Sequence, residues 1–302
     1  MVEIANNHAT LRAWGIEGTG GHGAGLSRHL LESSEIVIEL DRPKRAARRN
    51  GAKSDQLDAI RASREAMARP QLGTPRSGGE RQAPSVLLAA RRSAINASTE
   101  AQQQVFSLVI AAPEPIRARF RGQKLAAMLN TAASLRVRSS WDVETTSTVV
   151  ALRTLARRAP PSTWHARELQ KEIVVIIRGW RPDLLEEFGV GPIVAPTVLC
   201  AWSHPGRIHS EAAFAMLAGV APIPANSGQV TTRYRLNRYG DRNVNTALHT
   251  VVQSRIQYQQ ATRDYVARRT TEGKTTREIK RCLARYVARD LYRLLESRAE
   301  AA

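Results

Sequence analysis

The sequence predicts an α/β domain at the N-terminus, incomplete as it stands, then a helical arm and a mostly α-helical C-terminal domain. Three observations carry this. Residues 11–40 alternate apolar strand, glycine-rich turn, helix and apolar strand. Residues 85–180 are rich in alanine, glutamine and arginine with helical periodicity. The last third places short apolar helices around glycine turns and closes on basic amphipathic helices.

Leu11 to Ile16 reads as a short buried strand that ends at Glu17, before Gly18-Thr19-Gly20-Gly21-His22-Gly23. A helix over about 24–33 and a strand over 36–40 complete a β-α-β unit. Strands joined by a crossover helix lie parallel, so Glu17 and Asp41 are expected at the carboxyl ends, where such sheets gather their working residues. Two strands are few for a domain, and the chain reads as one that begins in mid-fold. Glycines 18, 20 and 23 also fit the dinucleotide-binding spacing, with Asp41 after the next strand. Against that alternative, the charge of Glu17 would oppose a pyrophosphate on the loop.

Next comes a basic run, Arg42, Lys44, Arg45, Arg48, Arg49, and then Lys53-Ser54-Asp55-Gln56-Leu57-Asp58-Ala59. If Asp55 opens a helix, Asp55 and Asp58 share a face and can approach one cation. A hard cation held by carboxylates completes its shell with water and phosphate oxygens, which the neighbouring bases would also attract. An Asp N-cap with a second acid in the first turn is the simpler reading of these residues alone.

A polar linker is expected over 70–84. Helices are expected over about 85–112, 123–135 and 143–158, and Pro160-Pro161 should break the chain before a helix over 164–180. These helices hold few large apolar residues, so they read as an arm that packs helix on helix or against a second copy. The expected boundaries are 1–83 for the α/β domain, 84–180 for the arm and 181–302 for the C-terminal domain.

Within that last domain, residues 184–195 resemble a helix-hairpin-helix element, with Gly189 and Gly191 in the turn. Bare glycine backbone lets phosphate oxygens reach free N–H groups at the next helix start, contacts that hold DNA without reading sequence. Ala212 to Val220 reads as an apolar helix, and residues 222–228 as a loop exposing Asn226-Ser227-Gly228. Arg233, Arg235, Arg238 and Arg242 crowd the next stretch, and helices are expected over 243–258 and 276–295. Ser227 could attack a phosphodiester while guanidinium groups stabilise the developing charge. An ordinary Asn-Ser-Gly turn is the simpler alternative.

The 302 residues carry 45 Lys and Arg against 27 Asp and Glu, a net charge of +18. Such an excess calls for a polyanionic partner, and nucleic acid is the first candidate. No apolar run approaches the roughly 20 residues of a spanning helix, so no membrane role is expected. Cys200 and Cys282 match no metal or disulfide spacing and suit a reducing cytoplasm.

Taken in order, Trp14-Gly15-Ile16-Glu17-Gly18-Thr19-Gly20, the Lys53–Ala59 segment, Phe188–Pro192, Leu217–Pro222, Asn226-Ser227-Gly228 and Arg238–Asn243 resemble the DEDD-type insertion-sequence transposases. That family is related to the Piv invertase and includes bridge-RNA-guided recombinases. The resemblance implies a RuvC-like (RNase H-like) N-terminal domain in which Glu17, Asp55 and Asp58 hold Mg²⁺, and a C-terminal domain in which Ser227 joins covalently to DNA. It also implies a homo-oligomer and, as a further partner, a guide RNA encoded by the element. No Asp precedes Asp41, so the family's first acid is missing, and either the start codon is assigned too late or the copy is N-terminally truncated. A non-catalytic nucleic-acid-binding remnant is the second reading, and a dinucleotide-binding enzyme the third.

Overall fold

Trp14-Gly15-Ile16-Glu17 forms β1 (Trp14–Glu17), which pairs in parallel with β2 (Val37–Leu40), Trp14 opposite Val37 and Glu17 opposite Leu40. In this computed structural model the described residues are 13–40, 55–68, 72–76, 78–224, 234–237 and 239–297. The crossover helix α1 (Ala24–Glu32) seals one face through Leu30, packed with Ile16 and Val37 and flanked by Trp14 and Leu26. All four residues of β2 are buried, as a parallel strand covered on both faces requires. Helix α2 (Asp55–Ala68) lies close on β1: a Cβ on Gly15 would sit 2.9 Å from Leu40 Cδ1 and 3.9 Å from Ala66 Cβ. The β-α-β expectation holds, although the described chain is mostly helical and this sheet has two strands.

The linker expected over 70–84 is not free where it is described. The Glu39 N–H donates to Gly73 O at 2.8 Å in an antiparallel bridge, and α3 (Gly79–Ala111) begins ahead of Pro84. Pro84 is the sixth residue of this helix, past the first turn, and forfeits one backbone hydrogen bond there.

By its contacts the chain divides into two compact units, 83–197 and the combination of 1–82 with 198–302. In the first, α3 and α6 (Val143–Trp180) run antiparallel, since Arg91 donates to Gln170 while Ser98 Oγ donates to Ala159 O at 3.1 Å. Between them lie α4 (Glu114–Arg117), a 3₁₀ turn at Ala118–Phe120 and α5 (Leu125–Ser134). The break expected at Pro160-Pro161 does not occur, and α6 continues for 38 residues. Each proline forfeits one backbone hydrogen bond. Packing outweighs that loss: Ala156, Ala159 and Ala166 are almost fully buried on either side of the pair. The Thr163 and Ser98 hydroxyls both reach Ala159 O beside it. Nor is this unit without a core. Val105, Val109, Ile116, Phe120, Met128, Val149 and Leu152 form one apolar cluster, assembled from residues too scattered in sequence to be seen as one.

The other unit gathers α8 (Val194–Trp202), which begins at the boundary, with α9 (Glu211–Leu217), α10 (Arg242–Tyr258), α11 (Gln260–Thr271) and α12 (Thr276–Ser297). Ser210 caps α9 by accepting from Ala213 N, and Asp241 caps α10 by accepting from Asn243 N and Val244 N. Thr275 and Glu278 form a reciprocal capping box at the start of α12. Ile279, Leu283, Val287, Leu291 and Leu295, four residues apart, are its buried row. Helix α11 was not expected, because neither Gly nor Pro separates it from α10; extended backbone at Gln259 makes the break. Among the described residues no helix is long and apolar enough to cross a membrane.

Between α9 and α10 two chain segments touch at glycines. Gly219 has φ +68, and a Cβ on Gly240 would lie 2.3 Å from both the Cα and the N of Gly219. The Asp241 N–H donates to Leu217 O at 2.6 Å, and the Asn237 and Asn245 amides donate to Met216 O and Ala218 O. From this crossing rises an antiparallel ribbon, β3 (Pro222–Pro224) with β4 (Tyr234–Leu236), Ile223 opposite Arg235. The expected loop therefore begins as a strand.

Backbone cannot rotate out of the way as a side chain can. Gly240→Ala should therefore destabilise the protein by about 3 kcal/mol or more, at the upper end of overpacking costs. Chemical denaturation measures this, and a loss under about 1 kcal/mol would show that the crossing yields easily.

Candidate functional site

Glu17 is the last residue of β1 and is exposed, and the chain then turns through Gly18 at φ +66. Gly23 lets α1 approach the strand, since its Cβ would meet Ile16 Cγ2 at 2.7 Å and Glu17 O at 2.8 Å. Asp55 is the first residue of α2, as the sequence suggests, but its side chain lies outside the described residues. Asp58 is one turn on, half exposed and 3.7 Å from Arg61. Carboxylates are the donors a hard cation such as Mg²⁺ takes. Among the described residues, however, no three His, Cys, Asp or Glu side chains are grouped to hold a metal ion.

A different acid is engaged nearby. Glu39 on β2 is buried, and its carboxylate meets Arg207 Nη2 at 2.9 Å and Arg76 Nε at 3.4 Å. Arg81 is buried beside them; its Nε and Nη2 donate to Cys200 O at 3.1 and 3.0 Å, and Cys200 Sγ donates to Arg81 O. Burial lowers the Arg81 pKa from its ordinary value, while Cys200 and Glu39 oppose that shift. Sequence reasoning passed over Glu39 as a strand residue, and over Arg76 and Arg81 as linker. The signal was an acid inside an otherwise apolar strand, which asks for a buried partner.

This cluster bears on the glycine loop. A Cβ on Gly20 would lie 2.8 Å from Arg76 Cδ, so the Arg76 side chain covers the loop where a pyrophosphate would need bare backbone. Thr19 Oγ1 accepts from the Arg76 N–H at 3.2 Å and fixes that cover.

In the turn after α7 (Asp183–Glu186), Gly189 takes φ +85 and Val190 N donates to Glu187 O. A Cβ on Gly191 would meet nothing within 4 Å, so backbone at the entry to α8 is open to approach. Ser227, Arg233 and Arg238, between or beside the ribbon strands, lie outside the described residues. So do Arg42, Lys44, Arg45, Arg48, Arg49, Lys53 and Asp41. Arg235 is on β4, its side chain outside the described residues, and Arg242 opens α10 and is exposed.

Residues 183–267 match the family model of the transposase IS116/IS110/IS902 family. The match supports an insertion-sequence transposase. It runs from α7 into α11 and contains the Gly189–Gly191 turn, the Gly219–Gly240 crossing, both ribbon strands and Ser227. The transposase match leaves Glu17, Asp55, Asp58 and α12 outside its span. No curated protein matches the chain.

Two substitutions separate the buried acid from the exposed one. Glu39→Gln leaves Arg76 and Arg207 without a countercharge, and should cost about 3–5 kcal/mol, as when one partner of a buried pair is removed. Glu17→Gln, at an exposed strand end, should stay within about 0.5 kcal/mol. Equal losses in denaturant titrations would contradict this division.

A further expected outcome concerns acid sensitivity. Burial, and then Arg207, hold His204 below its ordinary pKa, with Glu39 and Glu296 opposing; its ring nitrogens meet Ser203 Oγ and Thr74 Oγ1, each at 3.1 Å. The folded protein therefore takes up this proton less readily than the unfolded chain. Stability is full above the unfolded value, about 6.5, and declines as pH falls below it. His204→Gln should flatten part of the fall in melting temperature between about pH 7 and pH 5.5. An unchanged profile in the variant would place the acid sensitivity elsewhere.

Proposed function

We propose that this chain is a transposase that binds DNA and cuts and rejoins its strands, with Ser227 as nucleophile. The observation that carries the reading is the transposase-family match across 183–267, which encloses the ribbon and the segment with Ser227. The net charge of +18 supports a nucleic-acid partner. The Ser227 hydroxyl oxygen bonds to a DNA phosphorus, the phosphodiester bond to the leaving strand breaks, and the serine proton is balanced by protonation of the leaving oxygen. Arg233, Arg235, Arg238 and Arg242 hold the phosphate and offset its developing charge. Rejoining reverses the exchange: a strand hydroxyl attacks the serine-linked phosphorus and frees Ser227.

The finer reading is a DEDD-type enzyme related to the Piv invertase, in which Glu17, Asp55 and Asp58 of a RuvC-like domain would hold Mg²⁺. Bound there, the ion would supply charge stabilisation to a phosphate. The residues of this chain offer carboxylate oxygens and, at Arg42, Lys44, Arg45, Arg48, Arg49 and Lys53, cations for the adjoining backbone. Gly189 and Gly191 add backbone contacts to phosphate, as in a helix-hairpin-helix element. Exposed Phe106 and Ile110 on α3 and Trp164 and Val175 on α6 support assembly with further copies. A guide RNA of the element would share the same basic surface. The dinucleotide alternative is disfavoured by Arg76 over Gly20.

Incubated with DNA from the element's ends, the protein should give an adduct that survives denaturation, and Ser227→Ala should give none while binding DNA nearly as well. Binding should weaken with salt, log K falling against log salt with a slope of about −0.9 per phosphate neutralised on duplex DNA. An adduct that persists in Ser227→Ala would end the serine mechanism. Salt-sensitive binding without any adduct in the unmodified protein would leave a DNA-binding remnant.

A further inference from the structure

The basic residues of α12 have different fates. Arg285 Nη2 meets Glu211 Oε1 at 2.9 Å, Arg293 Nη2 meets Glu211 Oε2 at 3.7 Å, and Arg289 lies 5.2 Å from the Tyr286 ring centroid. Arg277, Lys280 and Arg281, nearer the helix start, form no ion pair among the described residues. They line a cavity of about 540 Å³, within the size range of small-ligand sites. Its walls join three stretches of one unit: Val220 and Pro222 leading into β3, Asn245 and His249 on α10, and Tyr286 on α12.

Two features give this cavity a ligand class. The lining is mostly apolar and includes an aromatic ring, while Arg277 and Arg281 line it and remain exposed, an arrangement for a flat apolar group that carries negative charge. Arg285 also lines it, and its Nη1 is buried with no hydrogen-bond partner. A buried donor left unpaired is costly, and a ligand oxygen would satisfy it. The Tyr286 ring makes an edge contact with the Tyr265 ring, their centroids 5.9 Å apart.

We propose that this cavity receives one unpaired nucleotide of a single strand, its base against Tyr286, Val220 and Pro222 and its phosphate on Arg277, Lys280 and Arg281. Every base has a face that stacks on an aromatic ring, whereas a base within a duplex must first leave its stack. Pro222 is the first residue of β3, so the nucleotide sits at the foot of the ribbon that leads toward Ser227. The inference rests on the transposase reading for the source of the strand and on the cavity for the ligand class.

The test uses the full chain at low salt with single strands of about a dozen nucleotides, the scale of such binding sites. A central 2-aminopurine reports stacking, in a DNA version, an RNA version and the DNA duplex. Binding should quench the fluorescence of a single strand and not of the duplex; quenching with DNA or with RNA supports the proposal and names the strand. The exposed-residue double variant Arg277→Gln/Arg281→Gln should bind the single strand about tenfold more weakly or worse. Tyr286→Leu should lose the quench while keeping its melting temperature. Absence of quenching with both strands, or full quenching in Tyr286→Leu, overturns the proposal. Ser227→Ala should quench as the unmodified protein does, because no bond is made. In the unmodified protein, a quench without any adduct counts against the transposase reading alone, and an adduct without the quench counts against this cavity alone.

Discussion

The contact of Gly219 with Gly240 is the constraint on which the C-terminal third depends. Two backbones meet there at a distance no Cβ permits, and the crossing fixes four things together. It ends α9, starts α10 at the Asp241 cap, sets the root of the ribbon and forms one side of the α12 cavity. Hydrogen bonds from Asn237, Asp241 and Asn245 to consecutive carbonyls of Met216, Leu217 and Ala218 hold it. The Leu217 and Ala218 carbonyls would otherwise be left unpaired at the end of a helix. Because α9 and α10 both pack on α12, a shift at the glycines would be felt by the buried row Ile279 to Leu295.

A second constraint is electrostatic. Glu39, Arg76, Arg207 and Arg81 put one carboxylate among three guanidinium groups in a poorly hydrated place. A buried ion pair adds little net stability, because desolvation offsets the attraction, but a wrong partner is heavily penalised. The cluster therefore acts mainly on specificity: it ties β2 to the segment after α8 and to the stretch before α3, which the sequence separates widely. Part of the chain's positive charge is thus spoken for inside the fold and cannot meet a polyanion. The same division recurs on α12, where Glu211 engages Arg285 and Arg293 while Arg277, Lys280 and Arg281 form no ion pair among the described residues.

The sequence by itself determined the local elements wherever a period or a cap was strong. The β-α-β unit, the helices over 243–258 and 276–295 and the transposase resemblance around Gly219, Ser227 and Gly240 were all legible. Spacing, capping residues and glycine order are local properties of a chain. The residues proposed for the chemistry were legible as motifs, but Ser227 and the basic run 42–53 lie outside the described residues, and no metal group is formed by those described. Only the tertiary structure decided where local rules are overridden and where distant residues meet. Pro160-Pro161 continues a helix because buried alanines on either side pack well enough to offset two lost hydrogen bonds. Glu39 finds Arg207, and Val220 and Tyr286 come to line one cavity, across spans that carry no period, since burial and charge pairing depend on which surfaces come together in space rather than on order along the chain.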